Sequence, residues 1–444
     1  MLPLLLTSAA LAEPHPLLTT DAQVRTLDNG LVVIVEPQRR ADVVALYLRY
    51  GVGARDEAEG EGGCAHLFEH LMFEGSENAP GASFDDLTQA AGAWNNAWTS
   101  ADETAYHMSM PSGALDLALF LESDRLGFLD VADVEVQQDV VLQERAEGYA
   151  EPHGADWDVL TTLAWPEGHP YHVPIIGTVD DIQAFSDDRT RAFWSTHYVP
   201  ANGTLALVGL LEPEATFAAV ERWFSDVPPR AAAPERAAAP PLPERHVDGV
   251  FEDDVADHAL YLAWPVPGRF SADEPAMELL SVVLSYGRGT RLDDALYYDR
   301  RLTESTWVGL DAGDLGSLFV LEAYTSRRRV RRVARAMEDV IAELAERPPT
   351  IDELERARAA LRGWLLDMVE QPEGRAEWLA TCQAYFGTPD CLEDLWARYE
   401  AVTPDDLVRV AETWLTPERR VSLSVVPEGR ARRAVRGAVP VGLP

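Results

Sequence analysis

Residues 64–73 read CAHLFEHLMF, placing two histidines and a glutamate within five positions of an otherwise apolar stretch. On a helix, His66, Glu69 and His70 stand at i, i+3 and i+4 and share one face. Two imidazoles one turn apart can hold a single metal ion, and the carboxylate between them then faces the open coordination position. This order, His-x-x-Glu-His, inverts the better-known His-Glu-x-x-His arrangement. Leu67, Phe68, Leu71, Met72 and Phe73 surround the three polar groups. Unpaired polar groups are costly in such company, so the stretch predicts a Zn2+ site and not a pair of surface histidines.

A hydrolytic site needs a third protein ligand. In QQDVVLQERAEGY, Gln137, Val140, Val141 and Glu144 follow helical spacing and form one expected inward face. Glu144 at its end is the candidate ligand, and Glu147 one turn later is its rival. The stretch NNAWTS, residues 95–100, reads as a strand.

These residues need a scaffold, and a chain of 444 residues is long enough for two domains. The Pro/Ala-rich segment 229–246 reads as a linker between a domain at 20–228 and another at 247–432. An ungapped echo relates FSDDRTRAFWSTHYVPANGTLALVG, from Phe185, to VTPDDLVRVAETWLTPERRVSLSVV, from Val402. Each copy reads as a capped helix, a turn at proline, then a strand. The expected fold is therefore α+β: two tandem homologous domains, each an antiparallel-rich sheet packed on helices. With 37 basic and 74 acidic residues, and no lysine among them, the net charge of −37 argues against nucleic-acid partners. No apolar run is long enough to span a membrane. Residues 1–12 resemble a signal peptide ending at Ala10-Leu11-Ala12, which implies a periplasmic or secreted protein and otherwise a cytoplasmic one. Cys382 and Cys391 could form a disulfide or remain packed thiols.

Taken together, TLDNGLVVIV, GVGARDE, GGCAHLFEHLMFEGS, NAWTSADETAY, QDVVLQE and HPYHVPIIGTVDDI resemble the insulinase/pitrilysin family of zinc peptidases, especially bacterial relatives of the mitochondrial processing peptidase. The resemblance covers most of residues 24–230 and is weaker in the second half, where YGRGTRL supports it. It implies that zinc is held by His66, His70 and Glu144, that Glu69 is the catalytic base, and that the backbone at Asn96 and Ala97 pairs with an extended peptide substrate. Two departures stand out. Gln137 occupies a supporting position beside the ligands where relatives carry glutamate. Tyr297 and Glu304 stand where an Arg and a Tyr would grip the substrate. The resemblance thus implies the zinc-bearing subunit of a heterodimer with a homologous partner. One competing expectation is a homodimer using other arginines such as Arg291 or Arg300; another is a non-catalytic, chamber-forming or structural subunit.

Overall fold

The computed structural model describes residues 15–39, 42–81, 83–131, 134–236, 238–287, 289–326 and 329–444; the expected leader at 1–12 lies outside the described residues. Two six-stranded mixed sheets carry the fold. The first contains β1 (Gln23–Thr26), β2 (Val32–Pro37), β3 (Val44–Tyr50), β4 (Trp94–Thr99), β5 (Thr104–Met110) and β6 (Gly203–Gly209). The second contains β7 (Val247–Asp253), β8 (His258–Val266), β9 (Ser305–Asp311), β10 (Ser317–Thr325), β11 (Val421–Pro427) and β12 (Val439–Pro440).

The strand orders are β1-β2-β6-β3-β5-β4 and β12-β7-β11-β8-β10-β9. Five strands of each sheet correspond one to one. β2 runs parallel to β6, as β7 does to β11, and the remaining matched neighbours are antiparallel. The echo seen in the sequence falls on equivalent elements. Ser186 caps helix Asp187–His197 by accepting from the Arg189 N–H, and Thr403 caps helix Pro404–Trp414 by accepting from the Asp406 N–H. Each helix leads into the central strand that pairs parallel to its neighbour. Between the sheets, residues 228–236 and 238–246 form neither helix nor strand.

Every residue of β3, β6 and β8 is buried, which for a sheet requires cover on both faces. One face of each sheet is covered by helices of its own half, through Phe68, Leu71, Phe217 and Phe224 in the first and Leu279, Leu280, Met337 and Val410 in the second. The opposite face is covered by a helix from the other half. Helix Pro372–Phe386 lays Ala376, Leu379 and Ala380 on Ile34, Ala45, Ala105, Ala206 and Val208. Helix Asp156–Ala164 lays Val159, Leu160 and Ala164 on Ala259, Ala263, Val320 and Leu423. In the first contact alanine predominates on both sides, so helix and sheet backbones approach closely there. The two halves are interlocked by this exchange.

Polar contacts fix the exchange in register. Arg375, 3% exposed, donates to both carboxylate oxygens of Glu36 at 3.0 and 3.1 Å and to the carbonyls of Leu17 and Thr19 at 2.7 and 2.6 Å. The lent helix Pro372–Phe386 is further tied to the following helix, Leu392–Ala401, by a Cys382–Cys391 disulfide, which settles the alternative left open by spacing. Cys64 is a buried free thiol.

Arg375→Ala would leave the Glu36 carboxylate buried without its cation. The expected loss is about 3–5 kcal/mol of stability, measured by denaturant unfolding of the oxidised protein. A loss below about 1 kcal/mol would show that the pair does not hold the helix down.

Candidate metal centre

The motif stretch forms helix Cys64–Glu74. Its apolar face buries Cys64, Leu67, Phe68, Leu71 and Met72, leaving His66, Glu69 and His70 on the opposite side, half-buried. Phe68 stacks on Phe193 with ring centroids 5.8 Å apart, and Tyr106 donates to the Phe68 carbonyl at 3.1 Å. The helix entry is equally constrained. The buried Glu57 carboxylate accepts from the N–H groups of Gly63 and Ala65, at 3.0 and 2.8 Å, satisfying donors that the first turn leaves unpaired. Gly63 has φ +93°, and a Cβ there would lie 2.6 Å from the Ile176 carbonyl oxygen. Only glycine meets both demands.

Glu144 comes from helix Val134–Ala150. Its Oε1 lies 3.8 Å from His66 Nε2, and its Oε2 lies 3.3 Å from His70 Nε2. The imidazole rings stand nearly perpendicular, 5.0 Å between centroids. Of the described residues, these three form the one group of potential ligands whose atoms all lie within 4.8 Å of one another. Ligands about 2.0–2.1 Å from a tetrahedral zinc stand roughly 3.3 Å apart, so the His70–Glu144 spacing matches that ion, while the 3.8 Å between His66 and Glu144 would have to close on binding. The electrostatics fit as well. Burial lowers the His66 pKa to about 4, keeping the imidazole neutral with a free lone pair. The contact with His70 holds the Glu144 carboxyl below the usual range, in its ionised form. Glu147 takes no part: it accepts from Gln143 Nε2 at 2.7 Å on the exposed side of its helix.

Two expectations for this helix are corrected. Its buried face runs through Val134, Gln137, Gln138, Val141 and Arg145, whereas Val140 is 42% exposed and the Glu144 side chain 49% exposed. Glu144 thus sits on the rim of the packed face and reaches the histidines sideways from the exposed side of its helix. Gln137 is buried but makes no hydrogen bond to either histidine, and His66 Nδ1 is buried without a partner.

Glu69 lies outside the ligand group. Its Oε2 accepts from Thr99 Oγ1 at 2.8 Å, and burial raises its pKa against the opposing effects of that hydrogen bond and of His70. Thr99 ends β4, the edge strand of its sheet. Within β4, Asn96 is exposed and its Oδ1 accepts from the Ala97 N–H at 2.9 Å, so that N–H is not committed to the ladder with β5. Glu69 and the free strand edge are therefore adjacent. Thr99 and Glu57 were not singled out from the sequence, although both lie in quoted stretches, NNAWTS and GVGARDE. A hydroxyl at a strand end and an acid several residues ahead of a helix carry no periodic signal.

In the second half, Tyr297 is 47% exposed and Glu304 is exposed just before β9. Arg291 donates to Glu353 at 2.8 and 3.0 Å, and Arg300 to Asp339 at 3.0 Å, so both arginines are engaged within their own half.

Comparison with known proteins agrees with this architecture. Residues 32–177 match the family profile described as Insulinase (Peptidase family M16), and residues 184–361 match the one described as Peptidase M16 inactive domain. The chain belongs to the M16, or insulinase/pitrilysin, family of peptidases. It is 28% identical over 416 residues to an uncharacterised zinc protease of Mycobacterium tuberculosis, spanning 92% of this chain and 93% of that one. The crystal structure of a protease from Helicobacter pylori shares the fold with a TM-score of 0.82 at 24% identity, over 92% of this chain and 100% of that one. The periplasmic protease PqqL of Escherichia coli shares it with a TM-score of 0.74 at 20% identity, over 94% of this chain but 49% of that one. His66, Glu69, His70 and Glu144 all fall within the first matched segment.

Glu144→Gln should sharply reduce retained zinc, measured by elemental analysis after dialysis, while Glu147→Gln should leave it unchanged. Equal loss in both variants would contradict the ligand set read from the geometry.

Proposed function

We propose that this protein is a zinc-dependent endopeptidase or oligopeptidase acting on extended peptides, with the metal held by His66, His70 and Glu144. The observation that carries the reading is Glu69. A carboxylate standing beside the ligand group, held by Thr99 and not itself a ligand, is what a hydrolase needs and a metal store does not. Zinc bound there supplies a Lewis acid that polarises the scissile carbonyl and acidifies a water. Oε2 of Glu69 is held by Thr99, leaving Oε1 to take a proton from the attacking water and return it to the departing amine as the C–N bond breaks. An extended peptide adds to the sheet along β4, its backbone replacing the Asn96 side chain at the Ala97 N–H. Asn96 and Ala97 are thus the substrate-pairing positions.

The reading extends to a heterodimer. The second half has no Arg/Tyr pair at Tyr297 and Glu304, and an ionised glutamate there would repel a developing oxyanion. The engagement of Arg291 with Glu353 and of Arg300 with Asp339 weighs against a homodimer using them as donors. That this chain matches half the length of PqqL fits a two-domain chain completed by a homologous partner. The disulfide supports export to an oxidising compartment, periplasmic or extracellular.

Glu69→Gln should retain zinc and lose about 10²–10⁴-fold in peptide hydrolysis. Thr99→Val should retain zinc and lose between about ten- and a hundredfold in kcat with KM little changed, with Thr99→Ser restoring it. Near wild-type cleavage by Glu69→Gln would refute the mechanism.

The partner is tested by assaying the isolated chain on an unstructured basic peptide and again after adding a homologous chain that carries the Arg/Tyr pair. Activity should rise at least about tenfold on addition. Full activity of the isolated chain, unaltered by that addition, would dismiss the heterodimer.

A further inference from the structure

A second concave site lies between the halves, on the side of β4 where Trp98 projects. It is a cavity of about 370 Å³, within the size range of small-molecule sites. Trp98 of the first half and Trp364, Trp378 and Trp396 of the second contribute to its walls. Set among these rings are the carboxylates of Glu274, Glu278 and Glu377. Such groups are costly to bury among aromatics unless a cation matches them.

The cations present are already engaged. Arg269 donates to the Ala312 carbonyl at 3.0 Å and lies 3.7 Å from Glu103. Arg398 donates to the Ser271 carbonyl and stands 3.9 Å from Glu274. Glu278 accepts from the neutral Tyr399 hydroxyl. Glu377 accepts no hydrogen bond among the described residues, and Arg269 reaches it only through space. Burial accordingly raises the pKa of all three carboxyls, that of Glu274 to about 7.

We propose that this cavity binds a small free amine, an ammonium on an apolar body, with the charge at Glu377 and the body against Trp98, Trp378 and Trp396. Tryptophan faces attract an organic cation, and the unpartnered carboxylate supplies the charge that a purely apolar pocket lacks. A neutral molecule of the same shape would gain only the apolar contact. The site does not depend on the peptidase reading, since none of its residues belongs to the metal centre.

The test is calorimetric titration of the zinc-loaded protein with 2-phenylethylamine and, in parallel, with 2-phenylethanol. The amine should bind with Kd below about 1 mM and the alcohol at least about tenfold more weakly. Glu377→Gln should weaken the amine by a similar factor, and Glu144→Gln should not alter it. Equal binding of amine and alcohol, no amine binding at millimolar concentration, or loss in Glu144→Gln with retention in Glu377→Gln would overturn the proposal. The comparison of the two ligands on the unaltered protein holds even where a variant fails to fold. Absence of zinc or of hydrolysis would defeat the peptidase reading while leaving this titration to stand on its own.

Discussion

The structure depends on the cover that each sheet receives from the opposite half. A sheet with fully buried central strands needs packing on two faces, and the helices following its own strands supply only one. Helix Pro372–Phe386 completes the first sheet and helix Asp156–Ala164 the second. Neither half therefore closes its core alone, and the arrangement of helix Cys64–Glu74, helix Val134–Ala150 and edge strand β4 rests on contacts separated by hundreds of residues.

The seam between the halves is most polar beneath the edge strand. Asp102, in the turn joining β4 to β5, accepts from Arg55 at 2.7 Å, from Tyr171 at 2.7 Å and from the Asp314 N–H at 3.0 Å. Asp314 in turn accepts from Arg55 at 3.1 Å and from Tyr385 at 2.8 Å. A network of this kind contributes less to net stability than its bond count implies, because desolvation offsets much of the gain. Its value lies in geometry, since Asp102, Arg55 and Asp314 are satisfied by partners from both halves. It anchors the end of β4, whose last residue, Thr99, donates to Glu69.

Equal topology does not mean equal chemistry. The position of helix Cys64–Glu74 is taken in the second half by helix Glu274–Ser285, which buries Ala276, Met277, Leu279, Leu280 and Val283 and carries no histidine. It lies within the segment, residues 184–361, that matches the profile described as Peptidase M16 inactive domain. The duplicated frame has kept its sheet order and helix caps in both copies and the cluster of His66, His70 and Glu144 in one. That division accords with a scaffold whose stability comes from backbone pairing and apolar cover, while the chemistry resides in a few exchangeable side chains.

The sequence by itself determined the features written in local spacing. The shared face of His66, Glu69 and His70 follows from helical periodicity, the duplicated α+β frame from the echo at Phe185 and Val402, and the strand NNAWTS from its residue types. It narrowed the carboxylate to Glu144 or Glu147. Tertiary structure decided what depended on distant partners. It brought Glu144 to the histidines from the rim of its helix, left Val140 exposed, joined Thr99 to Glu69, and engaged Arg291 and Arg300 elsewhere. It also sent two alanine-bearing helices across to the opposite sheets. Periodicity records which face of an element is apolar, but a patch such as Ala376, Leu379 and Ala380 fits many surfaces, and only the assembled chain selects the one it meets.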